Sequence, residues 1–166
     1  MKSLNKIYNI VLIGAGNIGS RHLQSIIKLN LPIKVVVIDN NANSLERAKK
    51  ILRNFENKAI IKSIEFLKKI EEISITIDLA IIATNADIRK IIIEKLYKQN
   101  KIKNLILEKV CFQSVKDFYN VINLVKLNKT KTWVNLAKRT LPIYKNIKKK
   151  INKEKKIFID ISSGSF

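Results

Sequence analysis

The sequence contains few of the residues that build disulfide bonds, metal sites and turns: of 166 residues, one is cysteine, one histidine, two proline and four glycine. Cys111 has no second cysteine to pair with, and Cys111 and His22 together offer too few ligands for a zinc site. Because a chain without disulfides is typical of a reducing compartment, we expect a cytoplasmic protein without a bound metal.

Long apolar runs are missing as well. The longest, such as Leu79 to Ala83, fall far short of the roughly 18 residues that a membrane-spanning helix needs. Residues Met1 to Asn9 lack the apolar segment and small-residue cleavage site of a signal peptide. We therefore predict no membrane partner. The 46% of hydrophobic residues is nevertheless enough to bury one domain core, which excludes a disordered basic chain.

Charge of one sign dominates, since 33 lysines and arginines face 13 acidic residues and the net charge is +20. Such an excess raises nucleic acid as a partner, because neutralising phosphates supplies most non-specific affinity. Only five of the basic residues are arginines, however, and aromatic residues make up 7% of the chain. The 31 isoleucines, 28 lysines and 18 asparagines all have A/T-rich codons, which explains a lysine-rich surface without a ligand. We therefore predict no specific nucleic-acid partner.

Short β-branched runs alternate with longer stretches of helical period, which is the pattern of βαβ units. This alternation predicts an α/β fold, a Rossmann-type doubly wound parallel sheet with helices on both faces, over residues 1–156. The predicted strands lie at Ile10 to Ile13, Ile33 to Ile38, Ala59 to Ile61, Ile77 to Ala83, Leu105 to Leu107 and Thr132 to Leu136.

The helices between these strands are predicted from capping residues and apolar stripes. Asn43 is the expected N-cap of the second helix, and a short helix is expected around Ile64 to Ile70. The helix after the fourth strand should bury a stripe of Ile88, Ile92 and Leu96. Further on, Ser114 and Asp117 form a predicted capping pair, and Pro142 is expected in the first turn of the last helix.

The motif with the clearest chemistry is Gly14-Ala15-Gly16-Asn17-Ile18-Gly19, which fits G-x-G-x-x-G between a buried strand and an amphipathic helix. Gly14 permits the tight turn, Gly16 lets the backbone approach a pyrophosphate, and Gly19 lets helix and strand pack closely. The helix that follows presents unpaired N–H groups to phosphates. The context favours a dinucleotide site, with a tight turn that binds no ligand as the alternative.

Asp39 ends the second predicted strand, 20 residues after the last glycine of the motif. A carboxylate there can accept hydrogen bonds from both hydroxyls of an adenosine ribose and repel a 2′-phosphate. Asn40 and Asn41 follow it, and there is no arginine to hold such a phosphate. The sequence therefore predicts NAD in preference to NADP. An ordinary Asp-Asn-Asn turn is the alternative explanation of this segment.

Four segments resemble one known family, the glucose-fructose oxidoreductase, inositol dehydrogenase and rhizopine-catabolism group, Gfo/Idh/MocA. The segments are Ile13 to His22 with its Arg-His pair, Asp78 to Thr84, Glu108-Lys109-Val110 where the family carries Glu-Lys-Pro, and Val134 to Pro142. The resemblance implies an NAD-dependent oxidoreductase that acts on a sugar or sugar derivative, with surface-polysaccharide sugars as a narrower suggestion. It implies cofactor-binding roles for Gly14, Gly16, Asn17, Ile18, Gly19, Asp39, Thr84, Asn85 and Glu108.

The same resemblance implies a catalytic role for Lys109, whose counterpart in the family lies beside the nicotinamide and the substrate. A solvated lysine at the end of a strand is the alternative. Val110 replaces the family's proline, and Asn85 to Arg89 replace a segment in which many members carry a proline and a histidine. Family members also have a second domain that completes the substrate site, and residues 157–166 are expected to be only its beginning. Whether this chain is itself an enzyme therefore stays open.

Two functions from different classes follow. The first is the dinucleotide-binding domain of a sugar oxidoreductase, which needs a second domain to receive its sugar-type substrate. The second is a nucleotide-binding or interaction module without redox activity. Both use the same cofactor site, and they differ in turnover.

Overall fold

Six β-branched segments form one parallel sheet in the computed structural model, which describes residues 6–54, 61–73, 75–136 and 140–151. The strands are β1 Tyr8–Ile13, β2 Ile33–Ile38, β3 Ile61–Leu67, β4 Ile77–Ile82, β5 Ile102–Glu108 and β6 Lys131–Asn135. Their spatial order is β3-β2-β1-β4-β5-β6, and all neighbouring pairs are parallel. The order reverses between β1 and β4, which is where ligands bind in sheets of this kind.

Helices cover both faces of the sheet, so the predicted doubly wound fold is confirmed. The helices described between these strands are α1 Asn17–Ile26, α2 Ala42–Arg53, α3 Ala86–Gln99 and α4 Val115–Leu127. Alternate side chains of β1 enter two separate cores. Ile10 and Leu12 pack with buried residues of α1 and α2, whereas Val11 and Ile13 pack with those of α3 and α4.

The third strand differs from the prediction. Residues 61–67, most of which were expected to be helical, form edge strand β3, and a 3-10 turn follows at Ile70–Glu72. Positions 59 and 60 of the predicted strand lie outside the described residues. An edge strand has no fully buried position here, and its Ile61, Ile64 and Leu67 recur at a spacing that imitates a helix.

Two helical details also differ. The N-cap of α2 is Asn41 rather than Asn43, since the Asn41 side chain accepts hydrogen bonds from the backbone N–H groups of Asn43 (2.9 Å) and Ser44 (3.3 Å). The buried face of α3 is Arg89, Ile93 and Leu96, and Ile88 is exposed.

The cap predicted at Ser114 is confirmed, because the Ser114 hydroxyl oxygen accepts a hydrogen bond of 3.0 Å from the Asp117 N–H.

Contacts divide the chain into two compact units, residues 1–135 and 136–166. In the second unit, α5 Pro142–Ile151 begins at the predicted proline. The strand predicted at Ile157 to Ile161 lies outside the described residues. In the ranges that the structure describes, no helix is long and apolar enough to cross a bilayer.

Candidate functional site

A cavity of about 420 Å³ opens at the carboxyl end of the sheet, beside the point where the strand order reverses. Five of the predicted cofactor residues line it: Gly14, Gly16, Asp39, Thr84 and Asn85. The volume lies within the range of sites that hold small organic ligands. Residues from the ends of β1, β2 and β4, far apart in sequence, are thus brought together around one space.

The glycine turn is built as its motif requires. Gly14 has φ +91°, a conformation that side chains disfavour, and a Cβ there would lie 2.9 Å from the Ala83 backbone. A Cβ on Gly19 would lie 1.8 Å from the Gly14 carbonyl oxygen, so helix α1 and the turn need a glycine at this contact. Gly16 faces open space, since a Cβ there would meet nothing within 4 Å. The backbone at Gly16 is therefore accessible to a ligand.

Helix α1 presents its amino end to the same turn. It begins at Asn17 after the N-cap Gly16, no side chain caps it, and its first turn has no acidic residue. Ile18 is exposed at this end. An uncapped helix start has unpaired N–H groups and the positive end of the helix dipole, both of which favour a phosphate.

Asp39 is fixed by two backbone hydrogen bonds. Its Oδ2 accepts from the Ala15 N–H at 2.6 Å and its Oδ1 accepts from the Asn41 N–H at 2.8 Å. The second bond is the turn contact expected of an Asp-x-Asn segment, and the first ties the carboxylate to the glycine turn. Each oxygen keeps a further lone pair, so the carboxylate can still accept hydroxyl donors.

Beyond Asp39, the cavity wall is partly apolar and partly charged. Ile70, Ile88 and Ile92 provide apolar surface, which suits a flat aromatic base. Lys68 and Lys69 follow β3 and also line the cavity, as do Glu71 and Lys95, whose side chains form an ion pair of 3.2 Å. The local sequence gave no sign that these charges would share a cavity with Asp39.

Glu108 lies on the other side of β1, at the end of β5. The residue is buried, with 8% of its surface exposed. The Glu108 Oε1 is 2.6 Å from His22 Nε2 and accepts a second hydrogen bond, also 2.6 Å, from Asn135 Nδ2. Burial raises the pKa of this carboxyl, but the bonds from Asn135 and His22 outweigh it, and the pKa lies below its ordinary value. Glu108 therefore stays ionised and joins α1, β5 and β6.

Lys109 directly follows Glu108 and is exposed, as is Val110. The peptide bond between Lys109 and Val110 is cis. Glu108 and Lys109 do not line the cavity, and they lie at the end of β5, two strands away from β1. The imidazole of His22 contacts Glu108 from helix α1.

Two residues that sequence reasoning missed complete this region. Asn135 binds Glu108 from β6, and nothing in its local sequence marks it. Arg89 is 2% exposed, and its guanidinium donates to backbone carbonyls after β4 and β5. A signal for Arg89 was present, because it precedes Ile93 by four residues and Leu96 by seven, on the buried face of α3.

Among the described residues, no group of three or more histidine, cysteine or acidic side chains is placed to hold a metal ion. The geometry suits a ligand with phosphates at the amino end of α1, one flanking group near Asp39 and another toward Glu108 and Lys109. A dinucleotide has this sequence of groups.

Comparison with known proteins agrees with this geometry. Residues 8–136 match the family model described as "Oxidoreductase family, NAD-binding Rossmann fold", GFO_IDH_MocA. No match was found among curated proteins.

Solved structures with the same fold include three sugar-related dehydrogenases. Myo-inositol 2-dehydrogenase from Lactobacillus plantarum has 18% identity and TM-score 0.68, with 89% of this chain and 42% of that chain covered. The WlbA dehydrogenase from Chromobacterium violaceum, solved with NADH and UDP-GlcNAcA, has 13% identity and TM-score 0.74, with 90% and 41% covered. UDP-N-acetylglucosamine 3-dehydrogenase GnnA from Acidithiobacillus ferrooxidans has 15% identity and TM-score 0.70, with 87% and 42% covered.

At such identities the structures show the shared fold, and the present chain spans about two fifths of their length. The family itself follows from the model match, which covers more than half of the chain. The chain belongs to the Gfo/Idh/MocA oxidoreductase family and carries its NAD-binding Rossmann domain.

Proposed function

We propose that this domain binds NAD in preference to NADP and serves an oxidoreductase whose substrate is a sugar or sugar derivative. The observation that carries the proposal is the single cavity formed by the glycine turn, Asp39, Thr84 and Asn85. Structural neighbours that act on inositol or a UDP-sugar support the substrate class.

The residues present fit a dinucleotide. The accessible backbone at Gly16 and the uncapped start of α1 would hold the two phosphates. Asp39 would accept the hydroxyls of the adenosine ribose, and Ile70, Ile88 and Ile92 would contact the adenine. The other half of the ligand would then extend past β1 toward Thr84 at the end of β4 and Lys109 after β5.

When bound, the cofactor supplies a nicotinamide ring that accepts or donates a hydride. The chain's own residues hold and orient the reacting groups. Lys109 is exposed and directly follows the buried carboxylate of Glu108. An ammonium group there can donate a hydrogen bond to a substrate hydroxyl and exchange a proton with it. Glu108, held by His22 and Asn135, orients the backbone from which Lys109 projects.

The preference for NAD rests on the charge of Asp39 near the ribose, which would repel a 2′-phosphate. Lys68 and Lys69 line the same cavity, so replacing Asp39 with a neutral residue would leave cations there that favour such a phosphate. The proposal therefore has a sharp test at this one carboxylate.

The experiment is a titration of the purified chain with NADH and NADPH, followed by nicotinamide fluorescence. We expect saturable binding of NADH and at least about tenfold weaker binding of NADPH, since a charged hydrogen-bond partner contributes roughly 1.5–3 kcal/mol. Asp39→Asn should weaken NADH binding and strengthen NADPH binding. Gly16→Ala should weaken both, because the added methyl group enters open space that the phosphates need.

Asn43→Ala is the matched control, because Asn43 is an exposed residue of α2, four positions after Asp39, and does not line the cavity. Its affinities should stay within about twofold of the wild type. Tighter binding of NADPH than NADH by the wild-type chain would contradict the NAD preference. A folded chain that binds neither dinucleotide would contradict the proposed function as a whole.

A further inference from the structure

Arg89 is a buried cation whose acceptors are all neutral. It lies in the first turn of α3 and is 2% exposed. Its Nη1 donates to the carbonyl oxygens of Glu108 (2.6 Å), Cys111 (2.9 Å) and Val110, and its Nη2 donates to the carbonyl oxygen of Thr84. One side chain therefore joins the loop after β4 to the loop after β5.

This placement is energetically unfavourable in itself. Burial lowers the pKa of the Arg89 guanidinium, because the charged form loses its hydration. A cation in the first turn of a helix also opposes the helix dipole. Cys111 and the charges of Glu108 and Asp87 oppose this lowering of the pKa without outweighing it. Among the described residues, no ion pair involves Arg89, and its buried Nε has no hydrogen-bond partner. The four carbonyl contacts offset these costs only where both loops hold their positions.

The two loops are the ones that face the nicotinamide half of the proposed cofactor. Asp39 lies on the β2 side of β1, so the remainder of a dinucleotide extends toward β4 and β5. Thr84 follows β4, and Lys109 lies between the two residues, Glu108 and Val110, whose carbonyls Arg89 binds. The guanidinium thus holds the backbone on both sides of Lys109.

Resting on the proposed function, we propose that Arg89 is a positioning residue that fixes the Lys109 loop against the Thr84 loop and thereby shapes the nicotinamide half of the site. The glycine turn and Asp39, which would hold the phosphates and the adenosine ribose, form no hydrogen bond with this guanidinium. Loss of Arg89 should therefore affect the two halves of the cofactor differently.

The test compares Arg89→Met with Arg53→Met, which removes an exposed arginine at the end of α2. NADH contains both halves of the cofactor, whereas ADP-ribose lacks the nicotinamide. We expect Arg89→Met to weaken NADH binding about tenfold or more while ADP-ribose binding changes less than about twofold. Arg53→Met should change neither. An equal loss for both ligands, or no loss for NADH, would overturn the proposal.

The single cysteine provides a readout that needs no cofactor. The Cys111 carbonyl accepts from Arg89, and the thiol is half-buried. Burial raises the pKa of this thiol, and the charge of Arg89 opposes that rise. Removing the charge should by itself slow thiol modification at a fixed pH, so a faster reaction in Arg89→Met reports an opened loop. We expect an increase of about fivefold or more in the pH-independent rate of the thiolate.

An unchanged rate of Cys111 modification in Arg89→Met would overturn the positioning role of Arg89, whether or not dinucleotides bind. The proposed function would instead be overturned if the wild-type chain bound no dinucleotide while Cys111 still reacted faster in Arg89→Met than in the wild type. That result would leave the positioning role of Arg89 in place. Should Arg89→Met fail to fold, Arg89→Lys carries the test, because it keeps the cation but cannot donate from two nitrogens. It should give intermediate NADH affinity and an intermediate thiol rate, and wild-type values for both would overturn the proposal.

Discussion

At the scale of single residues, the site separates into positions fixed by local sequence and positions fixed by the sheet. The glycine turn and Asp39 belong to one βαβ unit, and their geometry follows from the motif. Glu108 is different, because its partners His22 and Asn135 are 86 and 27 residues away in sequence. Such contacts depend on strand order and register, which is why the sequence pointed to Glu108 without its partners.

The Glu108 network should give the chain a specific pH dependence. A carboxyl whose pKa is lowered on folding adds stability that is complete above its ordinary pKa of 4.5. This stability is lost as the pH falls through the lower pKa of the folded state. We expect Glu108→Gln to lower the urea midpoint near pH 7, and the difference from the wild type to shrink below pH 4.5.

A double-mutant cycle with Asn135→Ala identifies the source of that dependence. Because Asn135 donates to the same Glu108 oxygen as His22, its removal should cost less in the Glu108→Gln background than in the wild type. Additive losses at every pH would show that the network does not stabilise the ionised carboxylate.

At the scale of secondary-structure elements, the sequence predicted strands β1, β2 and β4 far better than edge strand β3, whereas edge strand β6 was predicted within one residue of its bounds. The buried strands β1, β2 and β4 are continuous apolar runs and appear within about two residues of their predicted bounds. Edge strand β3 has one partner and no fully buried residue, so its polar and apolar residues follow no clear period of two. The buried face of α3 was also hard to predict. Its several isoleucines fit more than one apolar stripe, so Arg89 was not recognised as a buried residue.

The cap of α2 offers a test of this distinction. Asn41 satisfies two backbone donors, whereas the side chain of Asn43, the residue predicted to cap, makes no capping bond. We expect Asn41→Ala to lower the free energy of unfolding by about 1 kcal/mol, the usual cost of a lost N-cap. Asn43→Ala should change it by less than about 0.5 kcal/mol, because alanine is favourable inside a helix. Urea denaturation of both variants measures the two changes. Equal losses in the free energy of unfolding would contradict Asn41 as the N-cap of α2.

At the scale of the whole molecule, the net charge of +20 acts on every anion in solution. A surface rich in lysine attracts nucleic acid through phosphate neutralisation, and that attraction carries little specificity. A built pocket behaves differently, since the glycine turn, the start of α1 and Asp39 hold their ligand through directed hydrogen bonds. Salt dependence therefore distinguishes a general charge effect from the site proposed here.

Raising the salt concentration from about 50 to about 200 mM should weaken binding to double-stranded DNA by about 10³-fold or more, because several phosphates are neutralised at once. NADH carries two phosphates, and its affinity should fall by less than about tenfold over the same range. Fluorescence anisotropy of a labelled duplex and nicotinamide fluorescence measure the two ligands under identical conditions. Asp39→Asn is the discriminating variant: it should weaken NADH binding and leave DNA binding unchanged, because DNA affinity comes from the lysines of the surface. DNA binding that persists at about 200 mM salt would mean that contacts other than phosphate neutralisation hold the duplex. DNA binding that weakens or strengthens with Asp39→Asn would mean that nucleic acid reaches the cavity at the carboxyl end of the sheet.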